Sequence, residues 1–309
     1  MLVIDDSTCG DVYHELIRRC CASNGPFKCS RVGEARDIGQ CCLVISDQSR
    51  FLFSHHIRRV NPFFAMMEAA WVLSGSRSLA PMEFVIRRYR DFSDDGETLN
   101  GAYGHRMSYK FGVNQIEAAI RALSWDQDTR RVYLSIFSAD DLLSNSKDIP
   151  CNVGVDLKIR NNGLDFVTFN RSNDAFLGVP YDVFTFRCLQ RFIAKSVGVD
   201  VGRYTHVSTC MHLYKKDWER ALKISEAGPS NVSAEVGYDV VDAIICNSGE
   251  ISELRFDDIS VEWLRRMFLA LRKLRIDRDV KGALAQMPDT AIGRLASHWM
   301  TSTYVKKHN

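Results

Sequence analysis

The sequence lacks the features that mark membrane-spanning, secreted and nucleic-acid-coating proteins. No apolar run reaches the length needed to cross a bilayer. The opening MLVIDDSTCGDVYHEL has acids where a secretory signal needs a basic and then an apolar stretch. The formal net charge is only +2, whereas a nucleic-acid-binding domain usually has a strongly basic face. These absences predict a cytoplasmic protein that has neither a membrane nor a nucleic acid as its partner.

Metal-binding and disulfide patterns are also missing, although the chain has 10 cysteines. No two of them have the CxxC spacing of a zinc site, and the adjacent pairs Cys20-Cys21 and Cys41-Cys42 suit neither zinc nor an easy disulfide. Without a secretory signal, reduced thiols are the expectation. We therefore expect no metal site.

The hydrophobic pattern predicts a mixed α+β fold. With 309 residues, 46% of them hydrophobic, and no repeat or obvious linker, residues 1–309 are expected to form a single domain. The predicted strands are 41–48, 130–138, 153–160, 164–170 and 203–214. The predicted helices are 61–75, 116–125, 181–198, 216–228 and 260–275. The turn Asn161-Asn162-Gly163 makes 153–160 and 164–170 a hairpin, and 81–103 is expected to be irregular.

One cysteine differs from the others by its position. Cys151 follows Pro150 at a loop-to-strand junction, one hairpin ahead of Arg171. A single cysteine is usually a packing residue, but a thiolate needs a nearby cation, and Arg171 can supply it across the hairpin. Arg171 and Ser172 also combine a guanidinium fork with a hydroxyl, a pair suited to a phosphate.

Three other features each have a structural and a functional interpretation. His212 and Tyr214 share one face of a strand, where they either bind a sugar hydroxyl or are the polar tips of a half-buried strand. Glu68 lies in an otherwise apolar helix, and acids are rarely buried without a partner or a task. The pair Arg130-Arg131 opens a strand, so the two side chains point to opposite faces. If both are functional, one has to reach a neighbouring subunit.

Together and in this order, PCN (150–152), NRSNDAFLGVPYD (170–182) and HLY (212–214) resemble motifs of the thymidylate synthase family. These are folate-dependent enzymes that act on carbon 5 of pyrimidine nucleotides. SRVGEA (30–35) and TRR (129–131) add to a resemblance that runs from about residue 29 to 219. It implies an α+β fold with a large twisted mixed sheet and long helices. It also implies a homodimer packed sheet to sheet, 5,10-methylenetetrahydrofolate as the cofactor, and a cytoplasmic location, in the host if the enzyme comes from a phage.

The resemblance also implies roles for individual residues. The catalytic residues are Cys151, Asp182, Tyr103 and Glu68, with Cys151 as the nucleophile that adds to carbon 6. The substrate-binding residues are Arg31, Arg130, Arg131, Arg171, Ser172, Asn173, His212 and Tyr214, with Arg130 and Arg131 coming from the partner subunit. The cofactor-binding residues are Asp174, Tyr89 and Phe92. Tyr89 and Phe92 stand where the family has tryptophans, and Asn152 replaces the histidine usual after the nucleophile.

Asp182 bears on which base is bound. In thymidylate synthases this position is an asparagine that recognises uracil, whereas deoxycytidylate-specific members carry an aspartate. A protonated carboxyl group accepts from the amino group of cytosine and donates to its ring nitrogen, and a mismatched base would leave buried polar groups unpaired. Asp182 therefore predicts dCMP as the substrate. The alternative is an aspartate that merely stabilises the start of a helix.

The resemblance leaves the product open, because methyl or hydroxymethyl depends on whether water is excluded from the reacting carbon. GVPYD and Pro150 are synthase-like and favour reductive methylation to 5-methyl-dCMP. The alternatives are a dCMP hydroxymethylase, a CMP hydroxymethylase and an ordinary thymidylate synthase acting on dUMP. Ser172 and Arg131 favour a deoxyribonucleotide. A non-catalytic nucleotide-binding protein would not need Cys151, Tyr103 and Glu68 together.

Overall fold

A mixed eight-stranded sheet forms the centre of the computed structural model, which describes residues 1–6, 8–30, 32–48, 50–52, 55, 57–229 and 236–305. The strands are β1 (Leu2–Asp6), β2 (Lys28–Ser30), β3 (Gly33–Ile45), β4 (Tyr133–Ser135), β5 (Asn152–Arg160), β6 (Gly163–Asn170), β7 (Asn173–Asp174) and β8 (Asp200–Tyr214). Their order is β1-β3-β8-β6-β5-β4, with β2 beside β3 and β7 beside β8. The pairs β1·β3, β6·β8 and β7·β8 are parallel and the others are antiparallel.

Helices and short helical turns surround this sheet. The helices are α1 (Cys9–Ala22), α2 (Pro62–Leu73), α3 (Ala80–Val85), α4 (Tyr103–His105), α5 (Gln115–Trp125), α6 (Gly178–Val197), α7 (Trp218–Ala227), α8 (Tyr238–Cys246), α9 (Ser248–Ser252), α10 (Glu262–Arg272), α11 (Val280–Ala285) and α12 (Ala291–Met300). Within the described ranges, no helix has both the length and the apolar character needed to cross a membrane. The α+β fold class predicted from the sequence is confirmed.

Two buried helices carry acids toward the same region: α6 packs on the sheet, and α2 packs against α6. Helix α2 begins where the side chain of Asn61 accepts hydrogen bonds from the amides of Phe63 and Phe64, with Pro62 in its first turn, as predicted. Helix α6 packs on the sheet through Phe186, whose ring centroid is 6.3 Å from that of Phe166. It ends at Gly198, whose φ of 82° suits glycine. The two helices therefore fix the positions of Glu68 and Asp182.

The predicted hairpin places the candidate nucleophile beside the candidate phosphate ligand. Asn161 and Asn162 have φ of 50° and 61°, the pair of left-handed residues that a tight two-residue hairpin turn requires. In the resulting register the Cα atom of Asn152 pairs with that of Asn170. The amide of Arg171 donates to the carbonyl of Cys151 at 2.9 Å. Backbone pairing thus brings two residues that are distant in sequence into contact.

Several predicted bounds are wrong. The strand predicted at 130–138 covers only Tyr133–Ser135, because β4 is the last strand of the sheet and pairs with β5 alone. The irregular segment 81–103 contains the end of α3 and a 3₁₀ helix, Arg87–Phe92. The central helix begins at Gly178 rather than at residue 181, so Asp182 lies beyond the first turn. The interpretation of Asp182 as a helix-start residue is therefore wrong.

A buried ion pair anchors the segment after α4. Arg106 donates to both carboxylate oxygens of Asp141 at 2.7 and 2.9 Å, and it also donates to the carbonyl of Ile136. Both side chains are almost wholly buried, and bidentate pairs of this kind fix geometry as well as energy. Because Tyr103 opens the helix that leads into Arg106, this pair holds Tyr103 in place.

Candidate active site

A pocket lies between α2, α4 and the amino end of β5, and it contains most of the predicted catalytic side chains. It encloses about 630 Å³ of space, part of it open to solvent. Its lining residues are Glu68, Trp71, Val72, Tyr89, Phe92, Leu99, Gly101, Tyr103, Asp148, Ile149, Pro150 and Cys151. Three predicted catalytic residues and the predicted aromatic wall therefore meet in one space, as an enzyme pocket requires.

Cys151 immediately precedes β5, and its sulfur lies beside a guanidinium group. The Nη2 atom of Arg171 is 3.8 Å from Cys151 Sγ. The same side chain is held by the carbonyls of Pro150 at 2.9 Å and Ile149 at 3.0 Å. A fixed cation beside the sulfur favours the thiolate, which is the nucleophilic form.

Glu68 is a carboxyl group that holds its proton at neutral pH. Burial and the negative charge of Asp182 raise its pKa to about 8, although hydrogen bonds from Thr185 and Tyr89 oppose this. The Thr185 hydroxyl lies 3.3 Å from Glu68 Oε2. Because this pKa lies near neutrality, Glu68 can both donate and accept a proton, which suits a general acid–base group.

Asp182 faces the same region from α6 and is hydrogen-bonded by Asn173. The Nδ2 atom of Asn173 donates to Asp182 Oδ2 at 2.6 Å. Burial raises the pKa of Asp182 to about 6, with a further increase from Asp174 and a decrease from the Asn173 bond. The charge of Asp182 is thus one of the causes that keep the Glu68 carboxyl group protonated.

Two tyrosines complete the region around these acids. Tyr103 stacks on Phe186 with centroids 5.8 Å apart, and burial together with the charge of Asp182 raises its pKa well above the usual value. Burial and Glu68 also raise the pKa of Tyr89, whose ring lies 5.8 Å from that of Phe92. Both phenols therefore stay protonated and act as hydrogen-bond donors.

A chain of buried polar groups runs behind Cys151. Asn152 Nδ2 donates to Asn170 Oδ1 at 3.0 Å, and Asn170 Nδ2 contacts His206 Nε2 at 3.1 Å. The other ring nitrogen of His206 lies 3.0 Å from the Thr168 hydroxyl and 3.1 Å from that of Tyr204. Burial lowers the pKa of His206 to about 3, so the ring is neutral. Asn152, which replaces the usual histidine, is thus held by its own network.

Ser172, His212 and Tyr214, predicted to bind the sugar and phosphate, form a second cluster near the carboxyl-terminal end of β8. Ser172 Oγ lies 3.4 Å from His212 Nδ1, and the His212 ring meets the Tyr214 ring edge-on at 5.0 Å. Tyr214 also lines a second pocket with the hairpin residues Gly33 and Glu34. Arg31, predicted to bind phosphate, lies outside the described residues.

Asp174, Arg130 and Arg131 also lie outside the pocket that contains Cys151. Asp174 Oδ1 accepts from the amides of Phe176 and Leu177 at 2.8 and 3.2 Å, so this carboxylate stabilises the turn before α6. Arg130 and Arg131 are exposed ahead of β4. Because Tyr133 pairs with Asp156, five residues beyond Cys151, the two arginines lie more than about 17 Å along the strand from Cys151.

The structure also adds residues that the sequence did not single out. Trp71 lines the pocket and Thr185 contacts Glu68. Trp71 is three residues after Glu68, and Thr185 is three residues after Asp182, so each shares a helix face with a predicted catalytic acid. That spacing was the signal by which the sequence could have indicated both residues. His206 gave no comparable signal, because Thr168 and Asn170, two of its partners, come from the separate strand β6.

Comparison with known proteins agrees with this fold. The family model described as thymidylate synthase matches residues 11–263. The chain belongs to the thymidylate synthase family.

Its relatives include three proteins named deoxyuridylate hydroxymethyltransferase. The one from Pseudomonas phage M6 is 40% identical over 172 residues, 55% of this chain and 49% of the relative. Those from Bacillus phage SP01 and Delftia phage PhiW-14 are each 31% identical, over 182 and 229 residues. The shared segments cover 55% of this chain and 47% of the first, and 69% of this chain and 62% of the second. The chain thus spans less than two thirds of each relative's length.

Proposed function

We propose that this protein transfers a one-carbon unit from 5,10-methylenetetrahydrofolate to carbon 5 of a pyrimidine deoxynucleotide monophosphate, giving a 5-hydroxymethyl product. The observation that carries the proposal is the meeting of Cys151, Glu68 and Tyr103 in one pocket. This pocket holds a sulfur nucleophile beside a cation, an acid that keeps its proton and a neutral phenol. These groups are what addition to a pyrimidine ring and proton transfer at carbon 5 need.

The proposed reaction begins when Cys151 Sγ bonds to carbon 6 of the base, which makes carbon 5 nucleophilic. The folate supplies the one-carbon unit that then bonds to carbon 5. Loss of the carbon 5 proton, relayed by water beside Tyr103, and breaking of the bond between the one-carbon unit and its carrier nitrogen, which receives the proton of Glu68, leave an exocyclic methylene group. Water adds to this methylene while the carbon 5–carbon 6 double bond forms again and the thiolate leaves. The Glu68 carboxylate, having given up its proton, takes the proton of that water, so no oxidant or reductant is needed.

Water addition, rather than hydride transfer, is supported by the pocket and by the relatives. Tyr89 and Phe92 replace the tryptophans of the family, and Phe92 is 38% exposed, so the wall is less extensive and the pocket open to solvent. Hydroxymethyl transfer is also in the names of all three relatives above. Reductive methylation, favoured by the synthase-like GVPYD and Pro150, stays a prediction. It differs in its products, because it releases dihydrofolate.

The residues on the folate side suit a flat ring and its attached chain. Trp71, Tyr89 and Phe92 provide aromatic surface on the pocket wall, which is the usual lining for a heteroaromatic ring. Tyr89 is fixed between Phe64, at 5.6 Å between centroids, and Phe92. These residues would hold the folate, whereas the contact of Asp174 with it stays a prediction.

For the base, we propose dUMP first and dCMP as the second candidate. The names of the relatives support dUMP, whereas Asp182 supports dCMP. A neutral carboxyl group has one donor and one acceptor. With the hydroxyl toward position 4 it matches uracil, and with the hydroxyl toward the ring nitrogen it matches cytosine. The sequence argument for cytosine therefore does not follow from the carboxyl group alone.

A competition between the two nucleotides tests this choice. With equal dUMP and dCMP and an excess of methylenetetrahydrofolate, we expect dUMP to be consumed faster, by roughly 100-fold in kcat/KM, because a mismatched base leaves buried polar groups unpaired. Chromatography of the nucleotides over time measures both rates. Preferential loss of dCMP would establish the second candidate instead, and loss of neither nucleotide would contradict both.

We further propose that the chain acts as one catalytic domain in a homodimer whose subunits share arginines. Arg130 and Arg131 are too far along β4 to reach the Cys151 of their own chain, so their role in phosphate binding requires a second subunit. An apolar surface is available for this contact. Val167, Phe169 and Val207 are only half-buried on one face of the sheet, as in a surface that a partner covers.

Mixing two inactive variants tests the shared arginines. Cys151→Ala and Arg130→Ala/Arg131→Ala homodimers are each expected to be inactive. After subunit exchange, each mixed dimer contains one intact site, so activity should return to about a quarter of the wild-type value. Exchange is followed with two different affinity tags. Exchanged dimers without recovered turnover would show that the arginines act within their own subunit.

A further inference from the structure

Asn173 lies directly under the first turn of α6 and is almost wholly buried. It belongs to the two-residue strand β7, where its Cα atom pairs with that of Met211, and it is 4% exposed. The turn above it leaves room for this side chain because residue 178 is glycine. A Cβ atom at Gly178 would lie 3.1 Å from Asn173 Oδ1, closer than such contacts normally are. The fold therefore accommodates an amide at this position.

The amide of Asn173 makes one hydrogen bond, and it goes to Asp182. Its Nδ2 atom donates to Asp182 Oδ2 at 2.6 Å, while its Oδ1 atom has no hydrogen-bond partner among the described residues. An ionised carboxylate can only accept, so the nitrogen end of the amide has to face Asp182. Because Oδ2 accepts from Asn173, a proton on neutral Asp182 is carried by Oδ1.

This one-sided contact matters because a carboxyl group has no fixed donor–acceptor direction of its own. When neutral, it can carry its proton on either oxygen and match either uracil or cytosine. A side chain at position 182 distinguishes the two bases only if something fixes which atom donates. Within the described part of the chain, Asn173 is the hydrogen-bond partner that the structure gives to Asp182. Thr185, one turn along α6, hydrogen-bonds Glu68 instead.

We propose that Asn173 is a positioning residue that sets the hydrogen-bonding direction of Asp182 and thereby determines which pyrimidine base the site accepts. Removal of its amide leaves both carboxyl oxygens free to carry the proton, so the discrimination between dUMP and dCMP falls, whichever of the two the wild-type enzyme prefers. This inference rests on the proposed function, since it presupposes turnover of a pyrimidine nucleotide.

The test is the ratio of kcat/KM for dUMP and dCMP in Asn173→Ala and Asn173→Leu. Leucine has the same branching and the same number of side-chain heavy atoms as asparagine but makes no hydrogen bonds, so it is a second test should the cavity left by alanine impair folding. Both variants are expected to bring the ratio of the two kcat/KM values closer to one by roughly 10-fold or more. This is the usual effect of a hydrogen bond to a charged group. A general structural defect would lower both rates and leave the ratio unchanged.

Two matched variants sharpen the result. Thr185 lies on the same helix as Asp182 and hydrogen-bonds Glu68. Thr185→Val removes this bond and should lower kcat/KM equally for the two nucleotides. In an Asp182→Asn background Asn173 can bond either end of the neighbouring amide, so Asn173→Leu should then alter the ratio little. A wild-type ratio in both Asn173 variants would overturn the inference but not the proposed function. Failure of the wild-type protein to convert either nucleotide would overturn the proposed function itself.

Discussion

Replacing Cys151 with alanine is expected to abolish turnover, by roughly 10⁴-fold or more, while nucleotide binding is retained. Removing a nucleophile has effects of this size because the covalent route is lost altogether. Binding should persist within a few-fold, since Arg171 keeps its contacts with the carbonyls of Pro150 and Ile149. Steady-state turnover and calorimetric titration with the nucleotide measure the two effects separately.

The matched control for Cys151 is another accessible thiol away from the pocket. Cys246, at the end of α8, is exposed, and Cys246→Ala should have wild-type turnover. A Cys151→Ala protein that binds nucleotide and still turns over at the wild-type rate would rule out covalent catalysis by this residue. It would also revive the interpretation of a pocket that only binds.

Replacing Glu68 with glutamine is expected to lower kcat/KM by roughly 10²- to 10⁴-fold, the range that a positioned general acid–base contributes. Glutamine keeps the shape but cannot exchange a proton. Because the pKa of Glu68 is raised to about 8, the wild-type profile of kcat/KM against pH should bend near pH 8. The variant should lack this bend. An unaltered bend would assign it to another group.

The same substitution should change how stability depends on pH. Glu68 has a pKa of about 8 in the folded protein and a reference value of 4.5. Between these values the folded state holds a proton that the unfolded state has released, so stability falls as pH rises from 4.5 to 8. Glu68→Gln removes this contribution, and denaturant unfolding at pH 5 and pH 8 measures the difference. Glu117→Gln, at an exposed position on α5, is the control that should leave the slope unchanged.

Local signals made part of this fold predictable. Asn61-Pro62 marks the start of α2, and two successive asparagines mark the β5–β6 turn, because these residues satisfy backbone requirements within a few positions. The amino-terminal strand was not predicted. β1 is held by parallel pairing with residues 41–45 of β3, a contact between distant segments that no local pattern specifies.

The candidate site also has a part that local sequence predicts and a part that only packing determines. The nucleophile and the Arg171-Ser172 pair follow from motifs, because the chemistry requires those residue types in that order. The bonds from Thr185 to Glu68 and from Asn173 to Asp182 depend on how α2 and α6 pack against β7 and one another. A sequence indicates that an acid is present, but the pKa of that acid is set by neighbours that only the packed structure brings close.

The most direct test of the central claim is the identity of the product. Purified protein is incubated with dUMP or dCMP and methylenetetrahydrofolate. Mass spectrometry measures the mass of the nucleotide product, and absorbance measures any dihydrofolate formed. We expect a nucleotide heavier by one hydroxymethyl substitution, with no dihydrofolate formed. A methylated nucleotide with an equal amount of dihydrofolate would contradict water addition and establish reductive methylation in this pocket.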